Sequence, residues 1–419
     1  MVKVSEACEL IVDCVNRTAP LATEPTPYKM IRTTNVRDGF IDTDNVRYVQ
    51  EATFHKWTRR AAPLPGDVVL TREAPLGEVG IIRNREKVFL GQRTIMYRAD
   101  LHKLDPYFLM YSMLGEFMQG QIRGYGSGST VEHMRLPDCF NLLLPLPPLP
   151  TQHKIAAILS AYDDMIENNR RRIRLLEEMA QRIYREWFVD FRYPGHENGG
   201  LVDSALGAIP AGWGVVPLST VCDRITDGAH LSPPTVPAGL PMASVKDMTP
   251  RRLALDACRL ISDADFVALV RQDCQPRVND VLIAKDGSYL KHVFVVRDAY
   301  EVVILSSIAL LRPNGAIQPD VLALCLQQSE TKERLKNFVS GVAIPRIVLK
   351  DFRAFQIIRP PEGLQRDLVQ RVGPQLRLAF ALDMGSLALR AARDMLLPRL
   401  ISGEFDVTNL EIAVPDVAA

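Results

Sequence analysis

The stretch "PLPPLPTQHKIAAIL" at residues 145–159 has a counterpart far downstream, "IIRPPEGLQRDLVQRV" at 357–372. Pro147 and Pro148 fall on Pro360 and Pro361, and Gln152 on Gln365, each pair 213 residues apart. The same offset relates Ser127 to Ser340, Gly128 to Gly341, Leu136 to Leu349 and Asp138 to Asp351, and further upstream Asp67 to Asp280 and Arg72 to Lys285. Near the start of each half the offset is 212, pairing "YKMIRTTNV" with "LPMASVKDM" and "DNVRYV" with "DACRLI". A near-constant offset over most of a chain, with little residue identity, marks two diverged copies of one unit. The 419 residues therefore divide between two large homologous units and their connectors.

Each copy opens with about 140 residues rich in short apolar runs bounded by turn residues, such as "GDVVLTRE", "VGIIRN" and "RTIMYRA", then "NDVLIAK", "KHVFVVRD" and "EVVILSSIALLRP". Runs of this length, enriched in Val and Ile, predict strands. A helix is expected next in both copies, over "DPYFLMYSMLGEFMQGQI" and "QPDVLALCLQQSETKERLKNFV", with Pro106 and Pro319 at the first-turn position proline favours. Each unit is thus mixed α and β.

A long periodic segment follows each unit. In the first, Ile155, Leu159, Tyr162, Ile166, Asn169, Ile173, Leu176, Ala180, Ile183 and Trp187 alternate spacings of four and three. That is a heptad seam, which predicts a helix supercoiled against another helix and roughly 50 Å long. The equivalent positions are Leu368, Val372, Gln375, Ala379, Leu382, Ser386, Leu389, Arg393, Leu396 and Leu400. Gln375, Ser386 and Arg393 interrupt this second seam, so its face suits either the first helix or another protein. Asn169, a polar residue at a core position, suits a register-setting role or a loose solvent-facing crossing. "YPGHENGGLVDSALGAIPAG" is Gly/Pro-rich and unpatterned, and reads as a linker able to return the chain along the helix. The expected fold is α+β: two homologous mixed α/β globular units separated by two long helices that form an antiparallel coiled coil, a pseudo-two-fold internal repeat.

Chemistry of its own is hard to find in this chain. Lys+Arg 50 against Asp+Glu 49 excludes a bulk polycation, so nucleic-acid binding has to come from local patches. The seven cysteines form no CxxC pair or zinc-spaced cluster, and the N-terminus lacks the apolar stretch of a signal peptide, as the chain lacks a membrane-spanning run. These features predict a reduced, cytoplasmic, soluble protein. There is no GxxxxGK[ST] loop, no [DN]PP[FYW] tetrapeptide and no HExxH. "GYGSGS" lacks the strand-to-helix setting of a phosphate-cradling loop and reads as a turn. Pro319-Asp320 with Glu330-Thr331-Lys332 matches a PD…ExK nuclease pattern in form, but both pieces fall on one expected helix, too far apart to share a metal. No metal site and no catalytic residue is assigned.

Two unlike copies held apart by a helical spacer have the geometry to read a split target along a linear polymer, and one DNA turn spans about 34–36 Å. At this point the motifs carry a resemblance. "PLPPLPTQHKIAAIL" with "NNRRRIRLLEEMAQRIYREWFVDF", "GAIPAGWGVVPLSTV", "IIRPPEGLQRDLVQRV" and "LLPRLISGEFDV" resemble the specificity subunit of type I restriction-modification systems over nearly the whole chain. The resemblance implies target recognition domains at 1–147 and 213–359, spacer helices at 148–192 and 360–403, a linker at 193–212 and a C-terminal tail at 404–419. It implies a non-catalytic chain in which each domain reads one half of a bipartite double-stranded DNA target. The helices would dock two methyltransferase subunits, and restriction/translocase subunits would join. S-adenosylmethionine would belong to the methyltransferase partner, ATP and Mg to the restriction partner, and no membrane is involved. A coiled-coil scaffold without sequence-specific DNA binding is the alternative, and a related system that methylates without restricting fits equally.

Base reading calls for Arg, Lys, Asn, Gln and hydroxyls on loops, and phosphate contacts for cations and amides. Positions matched between the copies weigh most: Arg72 with Lys285, and Arg59 with Arg271, beside Arg60. The paired glycine-containing loops add Tyr125, Ser127, Ser129 and Arg346, and "KDGSYLKH" adds Asp286, Ser288, Lys291 and His292. The run Arg170, Arg171, Arg172 and Arg174 suits a charged coiled-coil flank balanced by Glu177 and Glu178, or contacts to phosphates or a partner.

Overall fold

The computed structural model describes residues 1–126, 132–286, 290–340 and 346–414. The chain divides into two compact units, one formed by Met1–Asn168 with Ser386–Ala419, the other by Asn169–Gly385. Among the described residues no helix is long and apolar enough to cross a membrane.

In the first unit the main strands are β1 (Cys8–Asp13), β2 (Tyr28–Ile31), β3 (Arg47–Tyr48), β4 (Val68–Arg72), β5 (Leu76–Ile81), β6 (Lys87–Leu90) and β7 (Thr94–Ala99). They form a four-stranded antiparallel sheet ordered β1-β7-β4-β5 and a three-stranded sheet ordered β3-β2-β6, in which β2 and β6 run parallel. The second unit contributes β8 (Cys222–Asp227), β9 (Leu240–Ala243), β10 (Arg259–Ile261), β11 (Val281–Ala284), β12 (Val293–Val295), β13 (Val303–Ile304) and β14 (Ile308–Pro313). Their orders are β8-β14-β11-β12 and β10-β9-β13, with β9 and β13 parallel. The two topologies are the same, as the repeat predicts.

The apolar runs are continuous rather than alternating because the central strands are covered on both faces. Val68 and Leu70 of β4 face the cluster built on the helices, whereas Val69 belongs to the opposite cluster with Ile31 and Val88. In β11, Val281 and Ile283 join the helical core while Leu282 and Ala284 join the other side, the period of two expected of a strand.

One buried polar device recurs in both copies. The side-chain carbonyl of Gln152 accepts from the Asp105 N–H at 2.9 Å, and its amide donates to the carbonyls of Lys103 and Pro147, both at 2.9 Å. Gln365 does the same with the Gln318 N–H and the carbonyls of Ala316 and Pro360. Asp67 pairs with Arg98, and Asp280 with Arg312, with N···O distances of 2.7–2.8 Å. The residues that look repeated in the sequence are therefore those that satisfy buried backbone groups where the helices leave the sheets.

The helix expected after each sheet is broken in two. In the first unit α2 (Pro106–Leu114) and α3 (Glu116–Tyr125) meet at Gly115, and in the second α6 (Pro319–Gln327) and α7 (Ser329–Lys336) meet at Gln328. Both junction residues are extended, with ψ near 150° and 142°. Short helices lie on the three-stranded sheets, α1 (Glu51–Trp57) in the first unit and α5 (Asp263–Arg271) in the second.

The long helices are α4 (Leu149–Phe188) and α8 (Glu362–Ser402), and each contributes to both units. They pack antiparallel. In the first unit Ile155 and Leu159 share a core with Leu397 and Leu400. In the second, Glu177 and Asp383 share Arg251, and the Arg371 guanidinium lies 5.5 Å from the Trp187 ring centre. Every seam position from Ile155 to Trp187 and from Leu368 to Leu400 is buried or half-buried, Asn169, Gln375, Ser386 and Arg393 included.

Arg393 is buried because it meets a counter-charge. Asp163, on α4, is fully buried and accepts from Arg393 Nη1 at 2.6 Å and from the Tyr111 hydroxyl at 2.6 Å, with Arg83 Nη2 at 3.7 Å. The interruption in the second seam is thus one half of an ion pair whose other half lies beside the first seam. Residues 193–212, expected to be unpatterned, hold a hairpin of Leu201–Ser204 with Gly207–Pro210. Gly207 has φ +93°, and Trp213 packs on Phe188, Phe191 and Tyr193 just beyond it.

Candidate nucleic-acid interface

The matched candidates Arg72 and Lys285 lie at the ends of the central strands, and in both units a residue just after the glycine-containing stretch bonds there. The Arg72 carbonyl accepts from Met134 N–H at 2.9 Å, and Glu73 bridges His133. The Lys285 carbonyl accepts from Ile347 N–H at 3.4 Å. Position 347 is 213 residues beyond 134, so in each unit the residue that follows the glycine-containing stretch meets the end of the central strand. Ser127, Ser129 and Ser288 lie outside the described residues. Tyr125 ends α3 and is 36% exposed, and Arg346 opens the short strand Arg346–Ile347.

The side chains of the matched pair turn inward. Arg72 is half-buried and donates to the Met134 carbonyl at 3.2 Å, while its Nε is buried without a partner. Lys285 is buried and its Nζ lies 2.8 Å from Asp227 and 3.8 Å from Asp286. Asp227 in turn lies 3.2 Å from the exposed His230 ring. Arg72 thus holds the segment around Met134, whereas Lys285 is tied to Asp227 at the end of β8.

The other candidates fall elsewhere. Arg59 and Arg60 are exposed after α1, and Arg60 reaches back to the Asp13 carboxylate and the carbonyls of Asp13 and Cys14. Arg271 is exposed in the last turn of α5. Lys291 is exposed and His292 half-buried before β12, where they meet Lys332 of α7 and Arg182 of α4 around one groove. Lys332 stands out in the sequence only as the lysine of the nuclease-like pattern and Arg182 not at all, because Arg182 takes its significance from neighbours over a hundred residues away. Arg170, Arg171, Arg172 and Arg174 are exposed on α4.

The nuclease-like pieces are held apart by different cations. Asp320 is buried against Arg297, whereas Glu330, on the next helix, lies 2.7 Å from Arg185. Among the described residues no group of three or more His, Cys, Asp or Glu side chains is placed to hold a metal ion.

Residues 19–178 match the family model described as the type I restriction modification DNA specificity domain. A curated relative, the type I restriction enzyme MjaIX specificity subunit of Methanocaldococcus jannaschii, is 25% identical over 87% of this chain and 83% of its own. The chain is thus similar to the specificity subunits of type I restriction-modification systems. The HindI specificity subunit of Haemophilus influenzae is a further relative, 24% identical over 63% of this chain and 69% of its own. The fold agrees with a crystal structure of a type I restriction-modification S subunit from M. genitalium, 16% identical, which covers 95% of both chains with a TM-score of 0.55. The family match runs from just before β2 into α4, and the second unit repeats the same sheet orders.

Proposed function

We propose that this chain is a specificity subunit that addresses a type I complex to DNA, with each unit reading one half of a bipartite double-stranded target. The observation that carries this reading is a repeated strand end: the same backbone bond joins Met134 to the end of β4 and Ile347 to the end of β11, with different side chains around it in each. One scaffold bearing two different readers is what two unlike half-sites require. The long helices act as the spacer and dock two methyltransferase subunits, to which restriction/translocase subunits are added. In this reading the chain supplies no catalytic group. S-adenosylmethionine sits in the methyltransferase, and ATP and Mg in the restriction partner.

The test is to express the chain with the methyltransferase subunit encoded beside it, in a host without adenine methylation, and to map modified adenines by single-molecule sequencing. A single bipartite motif that appears only when this chain is present is the expected result. A soluble complex that modifies no bipartite motif would refute the reading.

A further inference from the structure

The second unit contains a groove of about 680 Å³ between α4, α7 and the residues that lead into β12. Lys291, His292, Lys332 and Arg182 line it, with Arg174 at its margin. Of its two carboxylates, Glu177 is occupied by Arg251 at 3.0 Å, while Glu178 is exposed on α4. Among the described residues, Lys291, Lys332 and Arg182 make no ion pair. The amides of Gln181, Gln327 and Gln328 are spent on one another and on the Val293 and Leu324 carbonyls.

This arrangement costs the fold something. Burial, then Lys291 and Lys332, depress the His292 pKa, and burial depresses that of Lys332. His292 and Lys332, both half-buried and ringed by Lys291 and Arg182, sit in an environment that favours a bound anion.

The first unit shows that the fold does not need these cations. Leu70 pairs with Val79 as Ile283 pairs with Val293, so Gly77 and Glu78 stand where the second unit has Lys291 and His292. The Gln119 N–H donates to the Gly115 carbonyl in α3 as the Lys332 N–H donates to the Gln328 carbonyl in α7, so the two positions correspond. The Gln119 amide donates to the Gly77 carbonyl at 2.9 Å and fills the corner with a neutral bond. Identical backbone pairing thus carries a neutral or acidic corner in one copy and a cationic groove in the other.

We propose that the groove of the second unit seats a backbone phosphate of duplex DNA, with Lys291, Lys332 and Arg182 supplying the charge. This inference rests on the chain addressing DNA, and assigns the second unit a positioning contact that the first unit lacks. A phosphate diester fits because the groove offers flexible cations and no spare amide aligned to read a base edge.

The test measures DNA binding by the complex of the full chain with its methyltransferase, using a duplex that carries the mapped motif and a scrambled duplex of equal length. The variant is Lys291→Gln with Lys332→Gln, the latter being the residue the first unit carries at that place. Affinity for both duplexes is expected to fall roughly tenfold, with their ratio and the methylated motif unchanged, and the slope of log K against log salt to become shallower by about two. The variant is expected to melt no lower than the parent, because it relieves the burial of the Lys332 charge and removes two cations that disfavour protonated His292. An unchanged slope and affinity would overturn the proposal. So would a loss confined to the motif duplex, which would mean base reading, or a loss of methyltransferase binding with the slope intact, which would mean a carboxylate-bearing partner. Failure of the broader reading shows separately, as a parent complex that does not prefer the mapped motif.

Discussion

Arg393→Met isolates the Asp163 carboxylate at the point where α4 and α8 meet in the first unit. In the parent, Asp163 is fully buried and Arg393 is 5% exposed, with 2.6 Å between Nη1 and Oδ1. Methionine matches the length of the arginine stem, so packing changes little and the main effect is to strand a charge. Removing one partner of a buried pair costs about 3–5 kcal/mol. The Tyr111 hydroxyl, 2.6 Å from Oδ2, remains as a donor, and Arg83 at 3.7 Å is too far to replace the lost bond. For a unit of this size each kcal/mol is worth roughly 2–4 °C, so the first unit should melt about 6–20 °C lower. The assay is urea unfolding followed by limited proteolysis at Arg and Lys sites of each unit, so that the transition of the first unit is followed on its own. The double variant Asp163→Asn with Arg393→Met removes both charges yet keeps an acceptor for Tyr111, and should recover most of the loss. A single variant within about 1 kcal/mol of the parent, or a double variant as unstable as the single, would refute the buried-pair argument.

Three further outcomes follow from the geometry. Gln152→Ala and Gln365→Ala each leave a buried N–H and two carbonyls without partners and should each cost about 2–4 kcal/mol, to a similar extent in the two units, by urea denaturation. A Cβ at Gly228 would lie 1.9 Å from the Ile304 carbonyl oxygen, so Gly228→Ala should unfold the second unit, whereas at Gly120, mid-helix in α3, it meets nothing and Gly120→Ala should stabilise by about 1 kcal/mol; both are read as shifts in melting temperature. His292 has a folded pKa below the ordinary 6.5, through burial and the nearby lysines, so the unfolded chain binds a proton that the native chain gives up. Stability should therefore fall as pH drops through 6.5 toward the folded value, and His292→Gln should flatten that slope in a pH series of melts.

Much of the fold is written locally. The recurring prolines and glutamines mark the two copies because Gln152 and Gln365 answer the same buried backbone groups in each. The runs "VVL" and "VLIA" read as strands because a strand covered on both faces has no polar side to show. The first helical seam is legible because its contacts repeat within a few residues. The breaks at Gly115 and Gln328 are a mixed case: glycine invites an extended residue, but glutamine takes it only because the sheet beneath demands the same turn in both copies.

What the linear order could not settle is where charges end up. Arg393 looks like a flaw in a heptad until Asp163, 230 residues earlier, is folded against it. Arg72 and Lys285 are matched by the repeat as outward readers, yet Met134 and Asp227 draw them inward. Lys332 reads along the chain only as the lysine of a nuclease-like pattern and becomes part of a cationic groove when α7 brings it to Lys291 and His292. Sequence alone determined the duplication, the strand and helix periods and the kinship of the chain, because these depend on contacts that repeat at short or constant spacing. The partners of individual charges were decided by tertiary structure, because an ionic contact requires only proximity in space and leaves no period along the chain.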